Sequence, residues 1–268
     1  MLQILVTLFV LFSQAQALAS ASFELWQKDY RPDSSLEARD IYIYLPSGYA
    51  ESNSSYQTIY MHDGQNLFDP TRAYLGKTWR AESTLNYLIE NNLIEPVVVI
   101  AIDNTSERLW DYTPSPSSQY GGGGANQYLS MIAEELIPLV EANFKVQQTP
   151  DSRAILGSSL GGLVSLSSIV SHPNTFSKVA ALSPSIWWDK KIILSQLDNS
   201  PYLPQKIWID SGSLEVEISE DVALLENQLL TRMNQEQLRA VIQTNADHSE
   251  EFWAQRLPYV LHFLFSKN

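Results

Sequence analysis

The chain has 268 residues, of which 44% are hydrophobic and 18% are charged, and its formal net charge is −13. This composition is typical of a globular protein with a substantial core, and the acidic balance without a basic cluster argues against binding to nucleic acid or anionic lipid. Cysteine is absent, which excludes disulfides, thiolate nucleophiles and cysteine-based zinc sites.

The first residues differ in composition from the rest of the chain. No ionisable side chain precedes Glu24, and an apolar run extends from Ile4 to Phe12. The run is too short to cross a bilayer, and small residues in an A-x-A arrangement follow it, as in a secretory signal peptide. We therefore predict a leader over residues 1–19 and an exported protein, periplasmic or extracellular, with no membrane span once the leader is removed. Candidate cleavage positions follow Ala17, Ala19 or Ala21.

The missing Lys or Arg at the start of this leader leaves an alternative, a buried N-terminal strand or helix. The next apolar segments, residues 23–26 and 41–45, alternate in polarity and predict antiparallel strands. Beyond them, short apolar runs predict strands buried on both faces, at residues 58–61, 96–102, 154–156, 179–182 and 206–209.

Helical patterns separate the later strands. Apolar residues recur there at three- and four-residue spacing, at residues 81–89, 127–144, 160–170, 222–233 and 250–265. Strands that alternate with helices predict an α/β fold. We expect a single domain over residues 20–268, with a mostly parallel central sheet and helices on both faces.

One connection, from Asp103 to Ala125, is longer than compact domains usually contain without a function. It includes two low-complexity segments, residues 114–118 and 121–124. We expect this connection to border the functional site. The alternative, a disordered linker between two domains, is less consistent with the similar strands and helices on either side.

The most specific motif is Gly-Ser-Ser-Leu-Gly at residues 157–161, between a predicted strand and a predicted helix. In the G-x-S-x-G nucleophile elbow the turn is so tight that bulk is excluded two residues before and after the serine. We therefore predict that Ser159 is a catalytic nucleophile. The alternative is a structural glycine-rich turn, and Ser158, off the centre of the motif, is expected to be a packing residue.

A serine nucleophile requires a base, and histidine has the suitable pKa. The four histidines are His62, His172, His248 and His262. In this type of fold the chain order is serine, acid, histidine, and His248 satisfies it from a loop before the last predicted helix. We predict that His248 is the general base rather than a surface residue at a helix start.

The acid of the triad should follow the strand predicted at residues 206–209. Three carboxylates are available there, Asp210, Glu215 and Glu217. Any of them placed near the imidazole would orient it, and the spacing leaves the choice open.

Acyl transfer also requires donors for the developing oxyanion. The Leu160 amide, at the positive end of the helix after the elbow, is one candidate. An amide near Gln65, in the glycine-containing loop after the strand at residues 58–61, is the second, although a plain turn is the alternative.

Several of these segments resemble one known family, the group of esterases that includes esterase D, enterochelin esterases, feruloyl esterases and the antigen 85 mycolyltransferases. The resemblance covers nearly the whole chain after the leader. It rests on residues 63–68, 111–114, 157–162, 182–188, 212–215 and 248–250, the last ahead of Trp253. It implies the α/β-hydrolase fold, oxyanion amides from Gln65 and Leu160, and Glu215 as the acid.

The resemblance also suggests substrate-binding residues. The segment with Trp187 and Trp188 looks like one that lies beside the active site in siderophore esterases, where indole rings can stack on an aromatic acyl group. Arg108 and Tyr112 are expected to hold a polar or anionic substrate, together with Asp63. Ordinary packing of the tryptophans and a surface position for Arg108 are the alternatives.

These interpretations predict a serine hydrolase that cleaves small-molecule carboxylic esters through an acyl-enzyme. Siderophore lactones, as for enterochelin esterases, and feruloyl or acetyl esters of carbohydrates are the expected substrates. The alternatives are an acyltransferase with the same triad and a non-catalytic envelope binding protein that retains the fold. No metal or organic cofactor is implied, and the sequence does not predict the oligomeric state.

Overall fold

The computed structural model describes residues 21–267. The predicted leader over residues 1–19 lies outside the described residues and stays a prediction. Among the described residues, no helix combines the length and apolar character needed to cross a membrane.

An eight-stranded sheet forms the centre of the fold, in the order β1-β2-β4-β3-β5-β6-β7-β8. The β1–β2 and β2–β4 pairs are antiparallel, whereas the pairs from β4–β3 to β7–β8 are parallel. The strands are β1 (Ser22–Tyr30), β2 (Arg39–Leu45), β3 (Gln57–His62), β4 (Val97–Ile102), β5 (Arg153–Ser158), β6 (Lys178–Leu182), β7 (Lys206–Gly212) and β8 (Leu238–Gln243).

The central strands are largely apolar because both faces of the sheet are covered, and β4 is apolar at every position. In β4, Val98 and Ile100 pack into one hydrophobic cluster, whereas Val97 and Val99 pack into a second cluster across the sheet. Alternate side chains of a strand point to opposite faces, so a strand between two helical layers must be apolar throughout.

Helices cover both faces. The helices are α1 (Ala81–Glu90), α2 (Arg108–Asp111), α3 (Ala125–Ser130), α4 (Ile137–Asn143), α5 (Leu160–Ser171), α6 (Trp188–Asp198), α7 (Val216–Leu229) and α8 (Glu250–Phe265). A π-helical segment (Met131–Leu136) joins α3 to α4. Buried residues of α1 and α8 belong to the second cluster, whereas those of α3 to α7 belong to the first. The predicted α/β fold, with a mostly parallel sheet and helices on both faces, is confirmed.

The parallel strands place their carboxyl ends at one edge of the sheet, which is where open α/β sheets bind ligands. The turn after β3 contains Asp63 and Gln65, and the turn after β5 contains Ser159. Glu215 follows β7, and His248 lies between β8 and α8. The topology therefore brings together residues that are far apart in the sequence.

Candidate active site

Ser159 occupies the turn between β5 and α5 in an unusual backbone conformation. Its φ is 58° and its ψ is −123°, a backbone region that residues with a Cβ atom rarely adopt. Its N–H donates to the Leu182 carbonyl at 2.9 Å, and its carbonyl accepts the Ser185 N–H at 3.0 Å. These bonds tie the turn to the end of β6 and hold a conformation that costs about 1–3 kcal/mol.

The glycines on either side of Ser159 leave the space this turn requires. A Cβ on Gly157 would lie 2.6 Å from the Gly161 carbonyl carbon, too close for any contact between nonbonded atoms. A Cβ on Gly161 would lie 3.2 Å from an Asp63 carboxylate oxygen. Both positions of the elbow motif therefore have a steric reason to lack a side chain.

His248 and Glu215 are joined by a short hydrogen bond, with 2.5 Å between Nδ1 and Oε1. Because an ionised carboxylate only accepts hydrogen bonds, the shared proton lies on Nδ1, which leaves Nε2 free to accept a proton. The imidazole also packs edge-on against Trp253, with 4.9 Å between the ring centroids. The ring is thus fixed in its tautomer and its orientation.

Glu215 is kept ionised although its side chain is largely buried. Burial alone would raise its pKa, but hydrogen bonds from His248, the Gly212 N–H and the Ser183 hydroxyl hold the pKa below its usual range. Ser183 Oγ donates to Glu215 Oε2 at 2.8 Å. Hydrogen bonds to the charged form favour that form, so this carboxylate remains an acceptor for the imidazole.

The other two candidate acids lie elsewhere. Asp210 is fully buried and forms an ion pair with Arg256, with 3.1 Å between Oδ1 and Nε. Its other oxygen accepts the Trp208 indole N–H at 2.7 Å. Glu217 is exposed in the first turn of α7. Of the three carboxylates, Glu215 is therefore the one in contact with His248.

The two predicted oxyanion donors lie at the starts of helices. Leu160 is the first residue of α5, and Gln65 lies within a short 3-10 helix (Gly64–Asn66). Amides in the first turn of a helix have no acceptor within that helix and are available to an anion. The side chain of Gln65 does not compete for its backbone amide, because the side-chain Oε1 accepts a hydrogen bond from the Asn104 N–H at 3.2 Å.

A cavity of about 550 Å³ opens at this edge of the sheet. Its lining includes Ser159 and His248, together with Gln65, Asn104 and Arg108. Ser159 and His248 thus share one cavity, and the long connection after β4 borders it as predicted. Among the described residues no hydrogen bond joins Ser159 to His248; Ser159 Oγ lies 3.4 Å from Ser185 Oγ.

Asp63 and Arg108 form a two-point ion pair on the cavity wall. Arg108 Nε lies 2.7 Å from Asp63 Oδ1, and Arg108 Nη2 lies 2.8 Å from Asp63 Oδ2. Asn104 donates a further hydrogen bond to the same carboxylate. Burial would raise the pKa of Asp63, but Arg108 and Asn104 hold it below its usual range. Asp63 therefore positions Arg108 at the cavity.

Three predicted substrate-binding residues are placed differently from the expectation. Tyr112 is fully buried, where its hydroxyl accepts the Asp63 N–H at 3.2 Å. Trp188 is buried, and its indole donates to the Ser115 carbonyl at 2.9 Å. Direct contact of Tyr112 or Trp188 with a substrate does not fit this burial. Trp187 is 44% exposed beside Tyr120, outside the cavity lining.

Ser183, Ser185 and Glu250 were given no role in the sequence analysis, although each lies in a motif that carried the resemblance. The Ser183 hydroxyl accepts hydrogen bonds from Trp253 and Arg256 and donates to Glu215. Glu250 lines the cavity two residues after His248. The spacing of these residues in the sequence does not show which neighbours their side chains face. Their position within the shared motifs was therefore the one indication of a role that the sequence offered.

Comparisons with known proteins agree with this architecture. Bacillus subtilis YbbA is 25% identical over 244 residues, covering 84% of this chain and 92% of that protein. The siderophore enterobactin esterase of Emericella nidulans is 27% identical over 210 residues, covering 69% of this chain. The chain spans 65% of the length of that esterase.

The solved structure of the siderophore hydrolase EstB from Aspergillus nidulans has the same fold, with a TM-score of 0.72 at 20% identity. The superposition covers 93% of this chain and 95% of EstB. The family model described as "Putative esterase" matches residues 35–264. That match includes the elbow at residues 157–161, the turn that carries Glu215 and the loop that carries His248. The chain therefore belongs to this esterase family.

Proposed function

We propose that the protein is a serine hydrolase that cleaves carboxylic esters through an acyl-enzyme, with Ser159 as nucleophile, His248 as general base and Glu215 as the acid. The observation that carries this proposal is the shared cavity of the constrained Ser159 and of a His248 whose Nδ1 is held by Glu215. A strained serine and an oriented imidazole at one cavity are what nucleophilic catalysis requires.

In the proposed reaction, Ser159 Oγ attacks the ester carbonyl carbon while His248 Nε2 takes the hydroxyl proton. The Gln65 and Leu160 amides stabilise the oxyanion, and the imidazolium then returns the proton to the departing alcohol. Water attacks the acyl-enzyme by the same steps and releases the acid. Ser159 and His248 form no hydrogen bond among the described residues, and such contacts are often long before a substrate binds.

The proposed substrates are esters of small or aromatic acids, either siderophore lactones or acylated carbohydrates. A named relative, the Emericella nidulans siderophore enterobactin esterase, supports the first class. The cavity of about 550 Å³ falls in the size range typical of small-molecule sites. Both classes present an ester carbonyl to the same nucleophile, so they are tested together.

The first experiment follows the release of 4-nitrophenol from its acetate and butyrate esters. We expect a burst that approaches the enzyme concentration, followed by steady turnover, because 4-nitrophenol is a good leaving group and acylation should therefore be faster than hydrolysis of the acyl-enzyme. Ser159→Ala should abolish the burst and lower kcat by at least about 10³-fold. Ser158→Ala, one residue earlier in the same turn, is the matched control and should retain the burst.

Equal and negligible rates for the wild type and Ser159→Ala would contradict the proposal and favour a non-catalytic binding protein. If the burst is present, the substrate class is then determined with catecholate lactones, feruloylated sugars and acetylated sugars. Mass spectrometry of the products identifies the bond that is cleaved. Transfer of the acyl group to an added sugar, rather than to water, would identify an acyltransferase.

A further inference from the structure

The charges that line the catalytic cavity do not favour an anionic ligand. Among the described lining residues, Arg108 is the one with a permanent positive charge. Its guanidinium is engaged at two points by Asp63, so its charge is already compensated. Arg108 can still donate a hydrogen bond to a neutral acceptor, but it offers no net positive charge to a second carboxylate.

Glu250 adds a negative charge to the same cavity. It is the first residue of α8, a helix of 16 residues, where the helix dipole favours a carboxylate. It lines the same cavity as Asp63, Arg108 and His248, and burial together with the charge of Asp63 raises its pKa. None of the described residues forms a salt bridge with it. The cavity therefore contains one carboxylate without a direct counter-ion.

We infer that Glu250 is a specificity-determining residue that makes this site select uncharged esters over esters that carry a carboxylate or another anionic group. The inference rests on the proposed function. Inside a partly desolvated cavity, two like charges repel more strongly than they do in water. The net charge of −13 acts in the same direction at longer range, because it lowers the local concentration of anionic substrates.

The favoured substrate class is thus an ester whose acid and alcohol parts are both uncharged at neutral pH, such as an aromatic or acetyl ester of a neutral sugar or phenol. Esters with a free carboxylate, phosphate or sulfate are the disfavoured class. Of the expectation that Arg108 holds a polar or anionic substrate, this retains the polar part only, because Asp63 already occupies its guanidinium.

The test uses two acetate esters of similar size with one cleavable ester each, 4-acetoxybenzamide, which is neutral, and 4-acetoxybenzoate, which is anionic. The kcat/KM of each ester is measured for the wild type, Glu250→Gln and Glu251→Gln at pH 8. Burial, together with the Asp63 charge, raises the pKa of Glu250, and pH 8 is therefore chosen well on the alkaline side of the ordinary range of a glutamate. The ratio of the two kcat/KM values cancels any effect on His248 that both esters share.

Glu251→Gln is the matched control, because Glu251 is the next residue of the same helix but pairs at the surface with Lys77. We expect Glu250→Gln to raise the anionic-to-neutral ratio by about fivefold to tenfold, as removal of one charge predicts. Glu251→Gln should change the ratio by less than about twofold, since exposed charges are screened. Raising the salt concentration to about 1 M should reduce the preference of the wild type for the neutral ester over the anionic ester, because salt screens the repulsion.

The inference is overturned if the anionic-to-neutral ratio of kcat/KM for Glu250→Gln stays within twofold of the wild-type ratio. It is also overturned if Glu251→Gln raises this ratio as much as Glu250→Gln does. A wild type that prefers the anionic ester without dependence on salt would overturn it as well, a result that does not require a folded variant. Failure of the proposed function would give another result. Neither ester would then be cleaved in a manner that depends on Ser159. Circular dichroism of both variants identifies any loss of folding.

Discussion

At the scale of single residues, the choice of Glu215 as the proposed acid depends on contacts that the sequence does not display. Asp210, Glu215 and Glu217 all follow the same predicted strand. Glu215 reaches His248 because the turn after β7 folds its carboxylate back onto the Gly212 N–H. Asp210 is instead committed to Arg256, a residue of the final helix. Partners so far apart in the chain are set by the tertiary structure.

Glu215→Gln tests this assignment. The substitution removes the negative charge that orients and stabilises the imidazolium, so kcat for ester hydrolysis should fall by about 10³- to 10⁴-fold. Glu217→Gln alters an exposed residue of the same turn region and should leave kcat within about twofold. Steady-state kinetics with 4-nitrophenyl butyrate give both values.

Asp210→Asn distinguishes a structural carboxylate from a catalytic one. Because it leaves Arg256 without its buried partner, we expect the free energy of unfolding to fall by about 3 kcal/mol. A folded Asp210→Asn protein that lost as much activity as Glu215→Gln would contradict the assignment of the acid. Urea unfolding and kcat, measured on the same preparation, separate the two effects.

At the scale of elements, long periodic segments were predicted well and irregular ones were not. The helix predicted at residues 250–265 has those bounds, and the one at 160–170 differs by one residue at its end. Helix α6 was missed, because its apolar residues 192–194 are consecutive rather than spaced by three or four; its start also has positive φ at Asp189, Lys190 and Lys191. Helix α7 begins six residues before the predicted start, because the apolar residues of its first turns, Val216 and Ile218, are two positions apart and do not show helical spacing.

The elbow is the element whose sequence is most strictly constrained by space. Gly157→Ala places a methyl group against the backbone of Gly161, and we expect it to lower the free energy of unfolding by about 2–3 kcal/mol. It should also displace Ser159 and lower kcat. Urea unfolding and the burst assay measure the two effects.

Ser158→Ala serves as the control for Gly157→Ala, since it only removes a hydroxyl from the same turn. Its effect on unfolding should be less than about 1 kcal/mol. A Gly157→Ala protein as stable and as active as Ser158→Ala would show that the turn can relax, contrary to the steric argument.

At the scale of the whole molecule, the layered α/β fold followed from the alternation of buried strands and amphipathic helices. The order of strands in the sheet did not, because each central strand has the same apolar pattern and fits several positions. For the proposed triad, the motif and the chain order of the sequence indicate Ser159 and His248 but leave the acid open. The surroundings of Asp63, Ser183 and Glu250 depend on the packing of distant segments.

The stability of the whole molecule should depend on pH through Lys178 at the start of β6. Burial, together with the charge of Lys206, lowers the pKa of Lys178 from 10.5 to about 8. Between these two values the unfolded chain binds more protons than the folded protein, so the free energy of unfolding should rise with pH across this window. Stability from this group is lost as the pH falls through about 8.

Urea unfolding of the wild type and Lys178→Met between about pH 8 and pH 10 measures this contribution, because groups common to both proteins cancel. We expect the wild type to gain stability relative to the variant as the pH rises. Lys28→Met, which alters an exposed lysine of β1, should run parallel to the wild type. A constant difference between the wild type and Lys178→Met would contradict the expected proton release.

The outer border of the sheet at β1 has a consequence for crowded solutions. Its pairing with β2 slips between Leu25 and Gln27 and again between Gln27 and Tyr30. Such irregularities interrupt the regular spacing of the unpaired backbone amides and carbonyls with which a strand of another molecule would form hydrogen bonds. We therefore expect this border to resist fibril growth in which strands of successive copies pair along it.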